Sequence, residues 1–161
     1  MKHLPQTGQS GFTLAELVAV ILIVGILSVG AVSLFDRKSF DTAGFADQAE
    51  NAFAYAQKVA VAQRKKVQVT LTATTITLVV CTAAEPTPCS TTVPVSAVAG
   101  SGNFVSTAPS GVTLSTAPAT ATFTFDALGQ PSFSGNNLVV TITGSGSRTF
   151  TVEQVTGYVH P

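Results

Sequence analysis

The sequence predicts an α+β protein: a long N-terminal helix, apolar in its first half and amphipathic in its second, packed on a C-terminal antiparallel β-sheet. Three observations predict it. The stretch from Gly11 to Phe35, GFTLAELVAVILIVGILSVGAVSLF, is apolar throughout except for one acid, Glu16. Between residues 41 and 66, small and aromatic residues recur at spacings of three and four, the period of a helix face. From Val67 onward, Thr- and Val-rich text alternates with period two between turn residues, the signature of strands.

Length and composition bound the rest. The chain has 161 residues and a formal net charge of zero, with acids and bases both sparse, so nothing calls for nucleic acid or an acidic substrate. The predicted division is a leader over 1–11, a transmembrane helix over 12–35 and one α+β domain over 36–161, large enough for a modest core.

The leader, MKHLPQTGQSG, is short and polar, with Lys2 and the terminal amine as its positive charges, which favours the cytoplasmic side, although Arg37 and Lys38 just beyond the apolar run weaken that asymmetry. The apolar run from Phe12 to Phe35 is long enough, at about 1.5 Å per helical residue, to cross a hydrocarbon core about 30 Å thick. A carboxylate in such a segment costs about 2.5–3.5 kcal/mol on insertion scales, so Glu16 is expected to meet a cation. One reading leaves it at headgroup level beside the helix N-terminus, where dipole and free N–H groups favour negative charge. A sharper reading has cleavage between Gly11 and Phe12 create an α-amino cation. The helix does not readily bring this cation onto its own Glu16, but a neighbouring copy shifted along the axis does.

Gly11-Phe12-Thr13-Leu14-Ala15-Glu16, followed by a long apolar run, resembles the prepilin processing signal of type IV pilins and type II secretion pseudopilins. The resemblance implies that a prepilin peptidase cuts after Gly11 and N-methylates Phe12, and that Glu16 guides subunit docking. The implied partners are other pilin or pseudopilin subunits, the peptidase, an inner-membrane assembly platform and membrane lipid. Many members carry a kinking proline in this segment. This chain has none between Pro5 and Pro86, leaving Gly25 and Gly30 as points of flexibility. Two plainer readings compete. Ala31-Val32-Ser33 would pass as the cleavage site of a secretory signal, but the run is too long and carries an acid. A simple membrane anchor fits the length and leaves Glu16 and the Gly11-Phe12 pair unexplained.

Asp36-Arg37-Lys38-Ser39 marks the exit from the apolar segment. Phe45, Ala49, Ala52, Phe53, Ala56, Val59, Ala60 and Gln63 then form a narrow stripe along the expected helix of residues 41–66, and so many alanines imply close approach to a flat sheet. A long helix with a sheet wrapped on its far end is the pilin-like architecture the resemblance implies. Arg64-Lys65-Lys66 closes the helix as a solvated cationic cap, favoured there by the dipole. Contact with DNA is the alternative role of these three residues. Nucleic acid is not an expected partner, since no aromatic side chains are interleaved for base stacking.

Val67–Leu71 and Thr75–Val80 read as a hairpin turning at Thr72-Ala73-Thr74. Cys81 and Cys89 are the only cysteines. In an oxidising compartment they most simply make one disulfide, and in a reducing one they would be free thiols with no recognisable zinc spacing. From Ser90 to Pro118 the text is Ser, Thr, Gly, Ala and Pro, with short strands at Val93–Val98 and Phe104-Val105 whose register the sequence does not fix. Strands at 122–125, 138–143 and 149–153, with turns at 126–131 and 144–147 and an edge segment at 156–160, predict a meander. This last block, with Phe125-Asp126-Ala127-Leu128-Gly129-Gln130-Pro131 and Thr156-Gly157-Tyr158-Val159, resembles GspH/FimT-type minor pseudopilins and minor pilins of mannose-sensitive haemagglutinin (MSHA) pili.

Enzyme chemistry lacks its parts. Cleavage after Gly11 would leave His160 as the one histidine, no thiol is spare, and no Gly-rich phosphate loop follows a strand. No catalytic residue, cofactor or metal is expected, and Asp126 with Asn136 and Asn137 is the sole hint of a calcium loop. The expected function is therefore that of a structural minor pilin or pseudopilin, inserted in the bacterial inner membrane with its C-terminal domain periplasmic and then built into a pilus or secretion pseudopilus. The alternatives are a pilus-tip module binding DNA or a surface ligand through Arg64–Lys66 or the 90–118 region, and an anchored periplasmic domain that never assembles.

Overall fold

A computed structural model describes residues 12–32, 37–82, 89–96, 104–133 and 135–161, with the side chains of 29–32 and of Arg37 outside the description. The chain divides into two compact units between Asp36 and Arg37. In the first unit, helix α1 runs over Leu14–Val32 and passes through Gly25 and Gly30 without a break. Its large apolar side chains from Leu14 to Leu27 are exposed on every side. Among the described residues, no helix is long and apolar enough to cross a membrane.

The second unit is built on helix α2, Arg37–Gln63, which starts earlier and ends sooner than the expected 41–66. It ends at Gln63 because Arg64 turns into the left-handed region, φ 51°. There the amide of Arg64 donates to the Val61 carbonyl (3.3 Å) and that of Lys65 to the Ala60 carbonyl (3.2 Å), a pair that satisfies two end carbonyls. The expected stripe is buried from Phe45 through Ala60, joined by Thr42 and Ala46, whereas Gln63 is exposed.

Among the described residues, nine strands follow in two antiparallel sheets rather than the single sheet expected. They are β1 (Val67–Leu71), β2 (Thr75–Cys81), β3 (Thr92–Pro94), β4 (Val105–Thr107), β5 (Thr113–Ala117), β6 (Thr122–Phe125), β7 (Leu138–Thr143), β8 (Ser147–Val152) and β9 (Val159–His160). The first sheet has the order β3-β2-β1-β6, with β4 also on β2, and the second β5-β7-β8-β9. The expected meander is therefore cut after β6, which pairs with β1 through Val67 and Phe125 at one end and Thr70 and Thr122 at the other. The burial pattern explains the cut: Phe123, Thr124 and Phe125 are all buried, so β6 cannot be the half-exposed strand of a simple meander.

The 113–117 segment, read from sequence as loop, forms β5 because β7 offers it a five-residue antiparallel partner from Thr143 back to Val139. Alternation is otherwise as expected, with Val67, Val69 and Leu71 inward on β1 and Leu138, Val140 and Ile142 inward on β7. Helix α2 packs against strands of both sheets. Phe53 sits at the junction, its ring centroid 5.8 Å from Phe123 on the first sheet and 5.1 Å, edge-on, from Phe150 on the second. The alanines of the α2 stripe let the helix lie close enough for that one aromatic to reach both.

Candidate functional site

The expected processing and docking residues sit at the start of α1. Gly11 and the leader lie outside the described residues, while Phe12 is exposed just ahead of the helix. Thr13 is the N-cap: its hydroxyl accepts a hydrogen bond from the Glu16 amide at 3.2 Å, and its carbonyl accepts from Glu16 and Leu17. Thr13-Leu14-Ala15-Glu16 thus has the spacing of a capping box, with the acid at the third helical position. This role was readable from the T-x-x-E pattern, and it gives Glu16 a local reason to sit at the helix start. It leaves the docking role open, because the carboxylate stands at the head of an apolar surface in contact with solvent rather than protein.

The two cysteines are joined. Cys81 at the end of β2 and Cys89 form a disulfide with a Cα separation of 5.7 Å, and residues 83–88 between them lie outside the described residues. The Cys81 amide donates to the Lys66 carbonyl, and the Cys89 amide to Oε1 of Gln68 at 2.8 Å, so the bridge is moored to β1 on both sides.

Arg64, Lys65 and Lys66 do come together. With Thr82, Asp126, Ala127 and Leu128 they line one cleft of about 290 Å³. Asp126 and Asn137, the hint of a calcium loop, serve the backbone instead. Oδ1 of Asp126 accepts from the amides of Leu128 and Gln130, both at 2.8 Å, and Oδ1 of Asn137 accepts from Gln154 at 3.0 Å. Glu153 is engaged with Thr156 (2.7 Å) and His160 (3.8 Å), so Asp126 and Glu153 serve separate turns. The 90–118 region is partly described. It meets α2 at Tyr55, whose hydroxyl donates to the Ser96 carbonyl and whose ring lies tilted against Phe104, 5.7 Å away.

One feature had no sequence signal. Gln57, half-buried on α2, donates through Nε2 to the carbonyls of Gly129 (3.2 Å) and Thr156 (2.8 Å), gathering the 126–130 and 153–158 turns onto the helix. A glutamine between Ala56 and Lys58 carries no mark that its partners lie 72 and 99 residues away.

Residues 6–32 match the family model of the prokaryotic N-terminal methylation motif. No curated protein sequence matches the chain. Two crystal forms of the type IV minor pilin FimU from Pseudomonas aeruginosa strain PAO1 match in fold. The TM-scores are 0.57 and 0.53, at 14% and 15% sequence identity. The matches cover 76% and 73% of this chain and 88% and 89% of FimU. With a long helix packed on antiparallel sheets behind that motif, the chain has a type IV pilin-like fold.

Proposed function

We propose that the protein is a structural minor pilin. It is held in the bacterial inner membrane by residues 12–35, with its leader cytoplasmic and residues 36–161 periplasmic. Prepilin peptidase cuts it after Gly11 and methylates Phe12, and an inner-membrane platform then builds it into a filament. The observation that carries this reading is the uncovered apolar surface of α1 behind a methylation motif, interrupted by the single charge of Glu16. A helix that is apolar all round demands lipid or other helices, and a pilus offers both in succession. Glu16 then meets the methylated amine of a neighbouring Phe12, a pairing that offsets the cost of keeping either charge out of water. The filament proposed is an MSHA-like pilus or a type II secretion pseudopilus.

Intact mass and N-terminal analysis of the protein from membranes with and without prepilin peptidase tests the reading. A peptidase-dependent chain starting at methylated Phe12 is expected. A chain that still starts at Met1, or is cut after Ser33, would refute it.

The second reading, a pilus-tip module for DNA or a surface ligand, has one observation in its favour, the shared cleft of Arg64, Lys65 and Lys66. Salt-sensitive retention of duplex DNA that is lost on Lys65→Glu would select it.

A further inference from the structure

Past Arg37 and Lys38, which open it, helix α2 and the turn that follows it are charged in two blocks. Residues 41–57 hold Asp41, Asp47 and Glu50 and no base, while residues 58–66 hold Lys58, Arg64, Lys65 and Lys66 and no acid. The helix dipole favours that polarity only within the first and last turns. It does not account for Asp47 and Glu50, three turns into the helix, or for Lys58, more than a turn before its end. Nor do intrahelical pairs: neither Asp47 nor Glu50 has a base three or four residues away, and Lys58 has no acid there.

The basic block is also the edge of an apolar surface. Around Gln57, the 126–130 and 153–158 turns carry Leu128 (79% exposed), Val155 (65%) and Tyr158 (59%), beside Val61 (47%) on α2. These tips are held, not loose. Asp126 ties the first turn internally, Gln130 Nε2 donates to the Val155 carbonyl at 3.0 Å, and the Gly157 amide donates to Glu153 at 2.9 Å. Pre-organised apolar tips with a charged rim have the anatomy of a protein interface. No aromatic lines the basic cleft to stack a base, and Asp126 within it opposes a phosphate backbone.

The complementary surface is on the same molecule. The first half of α2 shows an apolar anchor, Phe40 (65% exposed), with exposed Asp41 and Asp47 and half-buried Glu50 on its C-terminal side and exposed Lys38 on its N-terminal side. Asp47 lies 16 residues before Gln63, where α2 ends and the chain turns into Arg64–Lys66, about 24 Å along the helix axis, so the acidic residues and that basic turn do not meet within one chain.

We propose that the Lys58–Lys65 end of α2, with Leu128 and Val155, docks on the Phe40–Glu50 segment of a second copy of this chain, head to tail. Such a contact uses different surfaces on the two partners, so each copy keeps one face free for a further subunit. This rests on the reading of the chain as an assembled subunit and adds which surfaces meet.

The test uses the full chain in detergent micelles, with photoreactive benzoylphenylalanine in place of Leu128 and a second, isotopically labelled copy. Capture of a labelled peptide spanning 40–51 is expected. Capture should fall about tenfold in a Lys58→Glu/Lys65→Glu variant and in an Asp47→Lys/Glu50→Lys variant, each tested alone. It should return when the two variants are mixed, because each then offers the other a complementary face. Lack of recovery in the mixture overturns the contact, as does capture of another segment, or of added duplex DNA in place of 40–51. A chain that is cut at Gly11 and enters filaments but fails this test loses only the contact, whereas a chain that is never processed loses the functional reading.

Discussion

Ser106 on β4 is 1% exposed, and among the described residues its hydroxyl has no hydrogen-bond partner. A buried unsatisfied hydroxyl carries a desolvation penalty with nothing to offset it. Ser106→Ala is therefore expected to stabilise the fold by about 1 kcal/mol, read as a rise of about 3 °C in the unfolding midpoint. A lowered midpoint would show that the hydroxyl is satisfied. Gly157 argues the opposite sign. Its φ is +69°, and a Cβ there would collide with the Gly129 carbonyl oxygen and crowd Gln57 Nε2. Gly157→Ala should cost about 2–4 kcal/mol by prising the 153–158 turn off the helix, measured by denaturant unfolding. Wild-type stability in that variant would mean that the turn yields freely. Neither residue was legible: a serine between Val105 and Thr107 and a glycine before an aromatic acquire their meaning from neighbours distant in sequence.

At the scale of elements, the disulfide and the amphipathic helix are the parts the sequence foretold best. Two cysteines eight positions apart, with no third to compete, left one pairing, and the strand that precedes Cys81 fixes where it falls. In the chain-entropy account a loop of this size contributes about 2–3 kcal/mol. A Cys81→Ser/Cys89→Ser variant should lose about that much in denaturant unfolding, with a larger loss if the Gln68 and Lys66 anchors fail with it. The α2 stripe was legible because a helix face repeats every three or four residues whatever it packs on. Its end was misplaced by three residues, since Arg64 takes the left-handed cap that glycine usually holds and only the backbone reveals it. Strand β5 escaped notice because its inward positions are Leu114 and the polar Thr116, so its alternation of burial is not spelled out as an alternation of apolar and polar residues.

For the whole molecule, the methylation motif and the uncovered apolar helix set one expectation. Glu16→Ala should leave cleavage after Gly11 intact, since the cut lies five residues away, and should weaken incorporation into filaments several-fold. Quantifying the variant in sheared pili against its level in membranes checks this, and full incorporation would count against pairing of Glu16 with a neighbour's amine. A Glu16→Gln variant adds a control: both variants keep the backbone amide that donates to the Thr13 hydroxyl, but only glutamine also keeps the side-chain oxygen of a capping box while removing the charge. Loss of incorporation in both variants would assign the effect to charge rather than to the helix start.

By itself, the sequence determined the α+β class, the apolar N-terminal helix with its one acid, the buried stripe of α2 and the single disulfide. Each is written in local terms: a run of apolar residues, a repeat of three and four, a pair of thiols. Only the tertiary structure decided that the strands divide into two sheets, that Phe53 joins them through Phe123 and Phe150, and that Gln57 gathers two turns beside a basic cleft. Those are choices of partner between segments far apart in the chain. They depend on which pairings bury Phe123 and Phe125 and satisfy their backbone together, a condition that no local pattern encodes.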